Sequence, residues 1–236
     1  MIKLKQRSYQ RELLDADNIP FADIQQNMKE LNAVNTLLGG HAITIAGVKA
    51  FLQKNIDVKN ITVCEIGCGG GDNLHAIALW CKKNNINASF TGIDIKKECI
   101  DFAKQQYPFL NACWITSDYA LVDLDAHKPM IIFSSLFCHH FTEPELVKMI
   151  GWMNRNSYKG FFINDLHRHP LAYYSIKLLT SIFSKSYLVK NDAPLSVARG
   201  LKQNEWKAIF DNAGISNYSV KWKWAFRHLI VCKHGG

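Results

Sequence analysis

The chain has 236 residues, of which 48% are hydrophobic and 20% charged, with seven cysteines and a formal net charge of +8. This length and composition predict one sizeable globular domain and exclude a disordered chain or an array of small modules. An odd number of cysteines without a C-x-x-C pair excludes a disulfide scaffold and a zinc ribbon as the organising feature.

The positive charges form no block of five or more, so they are interpreted as a solvated surface, with nucleic acid and an anionic substrate as alternatives. No run approaches the roughly 18 apolar residues of a membrane helix, and the first residues are charged where a signal peptide is apolar. We therefore expect a cytoplasmic protein without a membrane span.

The first 55 or so residues are predicted to be helical. Apolar residues recur every three or four positions from Phe21 to Leu38, which is typical of an amphipathic helix, and two glycines then provide a stop signal. A second helix is expected to extend to about Leu52. We interpret residues 1–58 as a helical cap, or lid, on a main domain of residues 59–236.

From Ile61 onward, short apolar runs alternate with amphipathic stretches, which indicates β-α-β units around a mostly parallel sheet. The last two runs alternate well enough to form a terminal antiparallel hairpin. The predicted strands are 61–66, 89–94, 112–116, 129–135 and 160–165, followed by the hairpin strands 216–224 and 227–233. A helix is predicted over 203–213, and a polar loop over 190–199.

The strongest functional signal is V-C-E-I-G-C-G-G-G-D at residues 63–72, where an apolar strand leads into glycines and then a helix. Glycines permit a sharp turn and let a ligand lie against peptide groups next to a helix N-terminus. Asp72 stands where a dinucleotide-binding fingerprint needs its last glycine, and its carboxylate would repel a pyrophosphate. The G-x-x-x-x-G-K-[ST] loop of triphosphate-binding proteins is absent from the sequence. The segment is therefore predicted to bind a different ligand.

The E-I-G-C-G-G-G stretch resembles the E/D-x-G-x-G-x-G loop of class I S-adenosylmethionine (SAM)-dependent methyltransferases. Gly92-Ile93-Asp94, at the end of the second predicted strand, is similar to that family's acidic position for the ribose of the cofactor. A carboxylate can accept both ribose hydroxyls, and a sulfonium without phosphate tolerates acidic neighbours. The resemblance implies a Rossmann-like class I methyltransferase fold with a seven-stranded, mostly parallel sheet, and SAM as the cofactor.

Ser117-Asp118-Tyr119, after the third strand, resembles the family's loop that contacts adenine, with Asp118 accepting a hydrogen bond from the exocyclic amine. The alternative for Asp118 is a helix N-cap. The resemblance implies cofactor-binding residues in the loops after the first four strands. They are Glu65, Gly67, Cys68, Gly69, Asp94, Ile95, Asp118, Tyr119 and Ser134.

S-S-L-F-C-H-H-F, residues 134–141, follows the fourth strand and so opens onto the crevice at the carboxyl ends of the strands. It resembles the L-H-H-[FL] stretch of small-molecule methyltransferases of the ubiquinone and menaquinone type and of their polyketide- and phenol-modifying relatives. Transfer from a sulfonium is a displacement, and a neutral imidazole can take the proton of a phenol-like acceptor. His139 or His140 is predicted as the base, with His139 slightly favoured and a supporting structural role as the alternative. No metal site is predicted, because adjacent histidines point apart and no carboxylate sits at ligand spacing.

N-D-L-H-R-H, residues 164–169, resembles the D-L-x-R stretch of the same methyltransferases. Asp165 and Arg168 are predicted to orient a polar group of the substrate, with a structural salt bridge as an equal alternative. Residues 168–199 are predicted to be a substrate-side insertion in which Tyr173 and neighbouring aromatics line an apolar pocket, with core packing as the alternative. A D-x-x-x-S-x-x-R set at 192–199 is similar to relatives and has no predicted role.

K-W-K-W, residues 221–224, is predicted to be a strand with lysines on one face and buried indoles on the other; nucleic-acid stacking is the alternative. Nucleic-acid methyltransferases that modify adenine carry [DN]-P-P-[YF] where this chain has S-S-L-F, which disfavours a nucleic-acid partner. We predict a methyltransferase for a small aromatic or polyketide-like acceptor, at a phenolic oxygen. C-methylation of a quinone or phenol ring, an RNA methyltransferase and a non-catalytic SAM-binding partner module are the alternatives. The acceptor, the pathway and the oligomeric state do not follow from the sequence.

Overall fold

The computed structural model describes residues 4–52, 59–125 and 128–235. Seven strands in these ranges form one sheet. They are β1 (Asn60–Ile66), β2 (Asn87–Asp94), β3 (Ala112–Thr116), β4 (Ile131–Ser135), β5 (Gly160–Leu166), β6 (Tyr218–Lys223) and β7 (Arg227–Lys233). The strand order is β3-β2-β1-β4-β5-β7-β6, with β1 to β5 parallel and β7 antiparallel to both neighbours. The predicted sheet and closing hairpin are confirmed.

Eight α-helices lie in the described part of the chain and connect or cover these strands. They are α1 (Phe21–Leu37), α2 (Gly40–Lys49), α3 (Asp72–Lys83), α4 (Lys97–Gln106), α5 (Glu143–Asn156), α6 (Pro170–Phe183), α7 (Tyr187–Arg199) and α8 (Gln203–Asn212). The helix predicted over 203–213 is therefore confirmed.

The central strands carry near-continuous apolar runs because both faces of the sheet are covered. On one face, Met149 and Phe210 pack into a cluster built with α5 and α8. On the other, Val48 and Leu74 pack against the sheet from α2 and α3. The sheet is thus rigidly held between two helical layers, and its strand ends present the loops that carry the motifs.

The predicted helical N-terminus is correct for α1 and α2 and wrong for residues 4–20. These residues, which we call the N-terminal strap, form one 3-10 turn at Leu13–Asp15 within otherwise non-helical backbone. Asn18 has a positive φ of 62° and Pro20 precedes the first turn of α1, so the helical pattern cannot extend upstream. The predicted cap boundary at residue 58 lies outside the described residues.

The polar loop predicted over 190–199 is wrong, because these residues belong to α7. Pro194 lies inside this helix and removes one helical hydrogen bond. The helix survives because one side of it is buried through Leu188, Leu195 and Val197. Tertiary packing here outweighs local propensity.

The prediction that the C-terminal strand buries its indoles is also wrong. Trp222 is 53% exposed and Trp224 is 72% exposed. Trp222 lies on β6, the edge strand of the sheet, and Trp224 lies in the turn that follows it. Both side chains remain at the surface.

Candidate active site

Two adjacent cavities open at the carboxyl ends of the parallel strands. The first, of about 740 Å³, is lined by the loops after β1, β2, β3 and β4 and by the strap, and we call it the polar cavity. The second, of about 520 Å³, lies between α1, α6, α7 and the β6–β7 turn, and we call it the apolar cavity. Such positions are where open α/β sheets bind their ligands.

The glycine loop after β1 forms one wall of the polar cavity. Gly67 has a φ of 65°, and a Cβ atom there would lie 2.2 Å from the ring of Phe137. Gly71 has a φ of 78°, and its Cβ would lie 2.5 Å from Trp114. Any other residue would clash at both positions, so the loop brings bare backbone and the start of α3 to the cavity.

The Asp94 carboxylate is fixed by two backbone N–H groups. Its Oδ2 accepts from Gly69 N at 2.9 Å, and its Oδ1 accepts from Lys96 N at 2.9 Å. Burial raises the pKa of Asp94, and the two N–H donors oppose that shift. Each oxygen keeps acceptor capacity, which suits a pair of neighbouring hydroxyls.

The polar cavity is rich in carboxylates, which favours a positively charged ligand group. Asp72 begins α3 and is held by His41 Nε2 at 2.7 Å and by Asn35 Nδ2 at 3.1 Å. The carboxylates that line the cavity are Asp15, Asp17, Asp72, Asp94 and Asp118.

Most of the residues predicted to bind the cofactor line the polar cavity. They are Gly67, Cys68, Gly69, Asp94, Ile95, Asp118 and Tyr119. Asp118 also accepts from Ala120 N at 2.9 Å and so caps a 3-10 turn. The two readings of Asp118, cap and cavity residue, are therefore compatible.

Glu65 and Ser134 lie behind the polar cavity and do not line it. Glu65 is fully buried and accepts from Asn73 Nδ2 at 3.0 Å, and burial raises its pKa well above the ordinary value. Ser134 contacts Cys138 in the core, while Ser135 lines the cavity. Successive strand residues point to opposite faces, so Ser135 and not Ser134 faces the polar cavity, and a cofactor contact of Ser134 stays a prediction.

The apolar cavity is walled mainly by aliphatic and aromatic side chains. It meets the polar cavity where both are lined by Leu14, Leu31, Leu136 and His140. His140 is the one titratable side chain in that shared set, so it lies at the junction. The polar residues of the apolar cavity are Glu12, Asn27, His139, His140, Ser175, Asp192, Ser196 and Arg227.

His139 is buried between two carboxylates. Its Nδ1 lies 2.8 Å from Asp165 Oδ1, and its Nε2 lies 3.5 Å from Glu12 Oε1. Burial alone would lower the pKa of His139, but Asp165 and Glu12 raise it to about 9. His139 is therefore protonated at neutral pH and is held as one member of an ion-pair network.

His140 is closer to the cavity space, with 20% of its side chain exposed. Its Nε2 lies 3.7 Å from Glu12 Oε2, and its Nδ1 lies 3.2 Å from Asp15 Oδ1. Both carboxylates come from the N-terminal strap. The strap therefore contacts both histidines and forms part of the wall of each cavity.

Helix α7 holds the strap and the histidine turn together through one polar face. Asp192 accepts from the N–H groups of Leu13 and Leu14 at 2.8 and 2.9 Å. Ser196 Oγ donates to Glu12 at 2.8 Å. Arg199 donates to backbone oxygens of both histidines, at 3.1 and 2.8 Å. This spacing of four and three residues puts the D-x-x-x-S-x-x-R set on one side of the helix, and the contacts give the set its role.

The residues predicted to bind substrate line neither cavity. Asp165 is fully buried and accepts from His139, from backbone N–H groups of the histidine turn and from Leu166 N. Arg168 pairs with Glu205 and donates to Gly200 O, so it forms no salt bridge with Asp165. Both side chains point into the protein and support the turn and α8.

Tyr173 lies in a buried cluster with Ala172, Val197 and Ala198. The face of α6 toward the apolar cavity is instead formed by its aliphatic residues Leu171, Ile176 and Leu179. The prediction misplaced the pocket-lining positions, because the aromatic pattern alone does not say which side of the helix faces a cavity. Core packing, the alternative reading of Tyr173, is the one observed.

Glu12, His139 and His140 each place one potential metal-ligand atom within 4.8 Å of the others. The expectation that no carboxylate lies near the histidines is wrong, because Glu12 arrives from the strap. The Arg199 Nε atom lies 4.0 Å from the same carboxylate. The contacts among these side chains form an ion-pair network. That the protein uses no metal stays a prediction.

Comparison with known proteins gives the class. Residues 63–160 match the family described as "Methyltransferase domain". No curated protein matches the chain. A SAM-dependent methyltransferase from Aquifex aeolicus is 17% identical with a TM-score of 0.62, covering 92% of this chain and 99% of that one.

Two further structures share the fold. The plantazolicin methyltransferase BpumL, in complex with SAH, is 14% identical with a TM-score of 0.65, covering 91% of this chain and 96% of that one. Human N-acetylserotonin methyltransferase, in complex with SAM, is 16% identical with a TM-score of 0.61, covering 92% of this chain and 57% of that one. Similarity at this level of identity shows the fold.

Residues 63–160 form a methyltransferase domain, and the sheet order and the glycine loop with its acidic partner are those of the class I SAM-dependent methyltransferase fold. The carboxylate-rich polar cavity suits the positive charge of SAM. No helix among the described residues is both long and apolar enough to cross a membrane.

Proposed function

We propose that this methyltransferase transfers the methyl group of SAM to an oxygen of a small, phenol-like acceptor held in the apolar cavity. The observation that carries the proposal is the junction of the two cavities at His140. A methyl group on a sulfonium in the polar cavity and an acceptor in the apolar cavity would meet at this point. The volume of the apolar cavity, about 520 Å³, lies within the range of small-molecule sites.

The cofactor is positioned by the residues around the glycine loop. Asp94 accepts the ribose hydroxyls with the acceptor capacity that its two backbone donors leave free. Asp118 and Tyr119 lie at the adenine end of the cavity, after β3. The open loop at Gly67 and Gly69 leaves room for the cofactor against the backbone.

His140 is the residue we propose as the general base. The reaction breaks the sulfur–methyl bond, forms the oxygen–methyl bond and releases the proton of the acceptor hydroxyl, which His140 accepts. His139 already carries a proton at neutral pH, because Asp165 and Glu12 raise its pKa to about 9, so it is not available as the base. Its role is to fix the turn that presents His140.

The other residues of the network act on position and solvent. Arg199 holds the carbonyl groups of the histidine turn, and Glu12 and Asp15 of the strap restrict the ring of His140. Leu14 of the strap lines both cavities at their junction. Alignment of the acceptor and removal of its proton are then supplied by the same small region.

C-methylation of a phenol or quinone ring would use the same cavity and the same base. Only the identity of the methylated product distinguishes it from O-methylation. We would incubate the protein with [methyl-14C]SAM and either 2-naphthol or 2-methoxynaphthalene. The two compounds have the same ring system, but only 2-naphthol has an acidic hydroxyl group. The proposal predicts label in the methyl ether of 2-naphthol and none in 2-methoxynaphthalene.

If the product is naphthol methylated on a ring carbon, the protein is a C-methyltransferase and not an O-methyltransferase. No labelled product from 2-naphthol or from 4-phenylphenol, together with intact SAM binding by calorimetry, would contradict a phenol-like acceptor. Asp94→Ala is the control for cofactor dependence, because weaker SAM binding should lower labelling when the SAM concentration is near the parent's dissociation constant.

A further inference from the structure

Helix α6 carries large apolar side chains on its outward side. With two tryptophans of the β6–β7 region they form a continuous feature, which we call the apolar surface. Its members and their exposed fractions are Leu171 59%, Tyr174 57%, Leu178 61%, Leu179 40%, Ile182 62%, Phe183 76%, Trp222 53% and Trp224 72%.

The orientation of α6 is the reverse of what a surface helix normally shows. Its inward side is formed by the small or polar Ala172 and Thr180, together with Tyr173. Leu178 and Ile182, four residues apart, both lie on the outward side. A contiguous exposed apolar patch of this kind marks an interaction site.

The segments that supply the apolar surface are basic in sequence, and two acidic side chains of α1 reach the α6–α7 connection beside it. Glu30 accepts from Ser184 and from the N–H groups of Lys185 and Ser186, and Asp23 accepts from Tyr187. Residues 170–190 and 218–233, which supply it, contain seven of the 28 Lys and Arg residues and none of the 20 Asp and Glu residues. The exposed basic residues of these segments include Lys177, Lys185, Lys190 and Lys221, whereas Lys233 lies at the far end of β7 beside Phe51.

The apolar surface is continuous with the apolar cavity. Leu171, Leu179, Trp222 and Trp224 belong to the exposed surface and also line that cavity. The cavity mouth therefore opens within the patch. An apolar medium lying against the patch would be in direct contact with the cavity.

We propose that the apolar surface binds an anionic lipid bilayer, with α6 lying in the interface and the lysines facing the headgroups. Apolar side chains of a helix enter the headgroup boundary, tryptophans favour that depth, and lysines are attracted to anionic lipid. A second copy of the chain fits less well, because pairing the surface with itself would bring the two basic segments together. This proposal does not depend on the identity of the acceptor.

The test is co-sedimentation with vesicles of phosphatidylcholine alone or with 30% phosphatidylglycerol. We expect the protein to pellet with the anionic vesicles, to bind neutral ones far less, and to be released as NaCl is raised. Leu178→Glu/Ile182→Glu should lower the partition coefficient by at least about tenfold, because two charges would enter the apolar boundary. Neither residue lines a cavity, so the affinity for SAM should be unchanged. An unchanged affinity also shows that the variant is folded.

The matched control is Leu79→Glu/Phe109→Glu, which alters two exposed apolar residues outside the patch, at 56% and 100% exposure. It should bind vesicles as the parent does. Protein that stays in the supernatant with anionic vesicles contradicts the proposal, as does equal binding by the parent and the Leu178→Glu/Ile182→Glu variant. A parent dimer that this variant converts to a monomer, without vesicle binding, would assign the surface to a second copy instead.

Discussion

The Oε1 atom of Glu12 lies 3.5 Å from Nε2 of His139, and both side chains are almost completely buried. One residue belongs to the strap at the start of the chain and the other to the turn after β4. The contact places a carboxylate from outside the sheet at the centre of the site. The strap therefore supplies a charged group to the site as well as part of the cavity walls.

The strap should loosen when its anchor on α7 is removed. In Asp192→Ala, the N–H groups of Leu13 and Leu14 lose their acceptor, at a cost of about 1 kcal/mol for each bond. Hydrogen exchange of residues 12–16 should accelerate at least about fivefold while the sheet core stays protected. Asp211→Ala, at an exposed position on α8, is the control and should leave that exchange unchanged. Equal protection in the parent and Asp192→Ala would show that the strap is held by other contacts.

Cofactor affinity should depend on Asp94. Replacing it by alanine removes a charged acceptor for the ribose hydroxyls and frees the N–H groups of Gly69 and Lys96. We expect a loss of roughly 1.5 to 3 kcal/mol in SAM binding by calorimetry, which is more than tenfold in the dissociation constant. Asp125→Ala, at a side chain that is 78% exposed, should bind SAM as the parent does. An Asp94→Ala affinity within twofold of the parent would refute the ribose assignment.

The buried network should make stability depend on pH. The folded-state pKa of His139 is raised from 6.5 to about 9, so its contribution is complete below pH 6.5 and is lost as the pH rises through 9. The pKa values of Glu12 and Asp165 are lowered by their histidine partners despite burial, so their contribution is present above the ordinary values of 4.5 and 3.8 and is lost as the pH falls. Stability from this network is thus greatest between about pH 4.5 and 6.5.

Urea unfolding at pH 6.5 and 9.5 measures the alkaline side of this dependence. The parent should lose on the order of 3 kcal/mol, since one pKa unit corresponds to about 1.4 kcal/mol. His139→Gln should be less stable at pH 6.5 and show a smaller difference between the two conditions. The same difference in both proteins would mean that His139 titrates normally and that the two carboxylates do not raise its pKa.

The sheet and most of the polar cavity could be predicted from the sequence because their signals are local. Each strand is a short apolar run, and the residues that line the cavity follow it directly in the chain. Gly67, Asp94 and Asp118 were placed in this way. At the end of β4 the neighbouring Ser135, not Ser134, lines the cavity, because a motif does not fix which residue of a strand end faces it.

The strap, α7 and the acceptor side could not be predicted in the same way. Glu12 reaches His139 only through the packing of the strap on α7, and nothing adjacent to either residue in the sequence records that contact. The helical spacing of Asp192, Ser196 and Arg199 was a usable signal, which the helix-breaking Pro194 obscured. The outward apolar side of α6 resembles core in a sequence, because periodicity shows that a helix has an apolar face and not where that face points.

The most direct test of the account is the rate of methyl transfer to 2-naphthol by His140→Gln. Proton removal by a positioned base is typically worth 10² to 10⁴-fold, so we expect the rate at pH 7 to fall at least about a hundredfold while SAM affinity stays within twofold. The rate of the variant should recover as the pH approaches the phenol's own pKa of about 10, where the acceptor ionises unaided. A variant that keeps more than a tenth of the parent rate at pH 7, or that shows no recovery at high pH, would contradict a base at the junction of the two cavities.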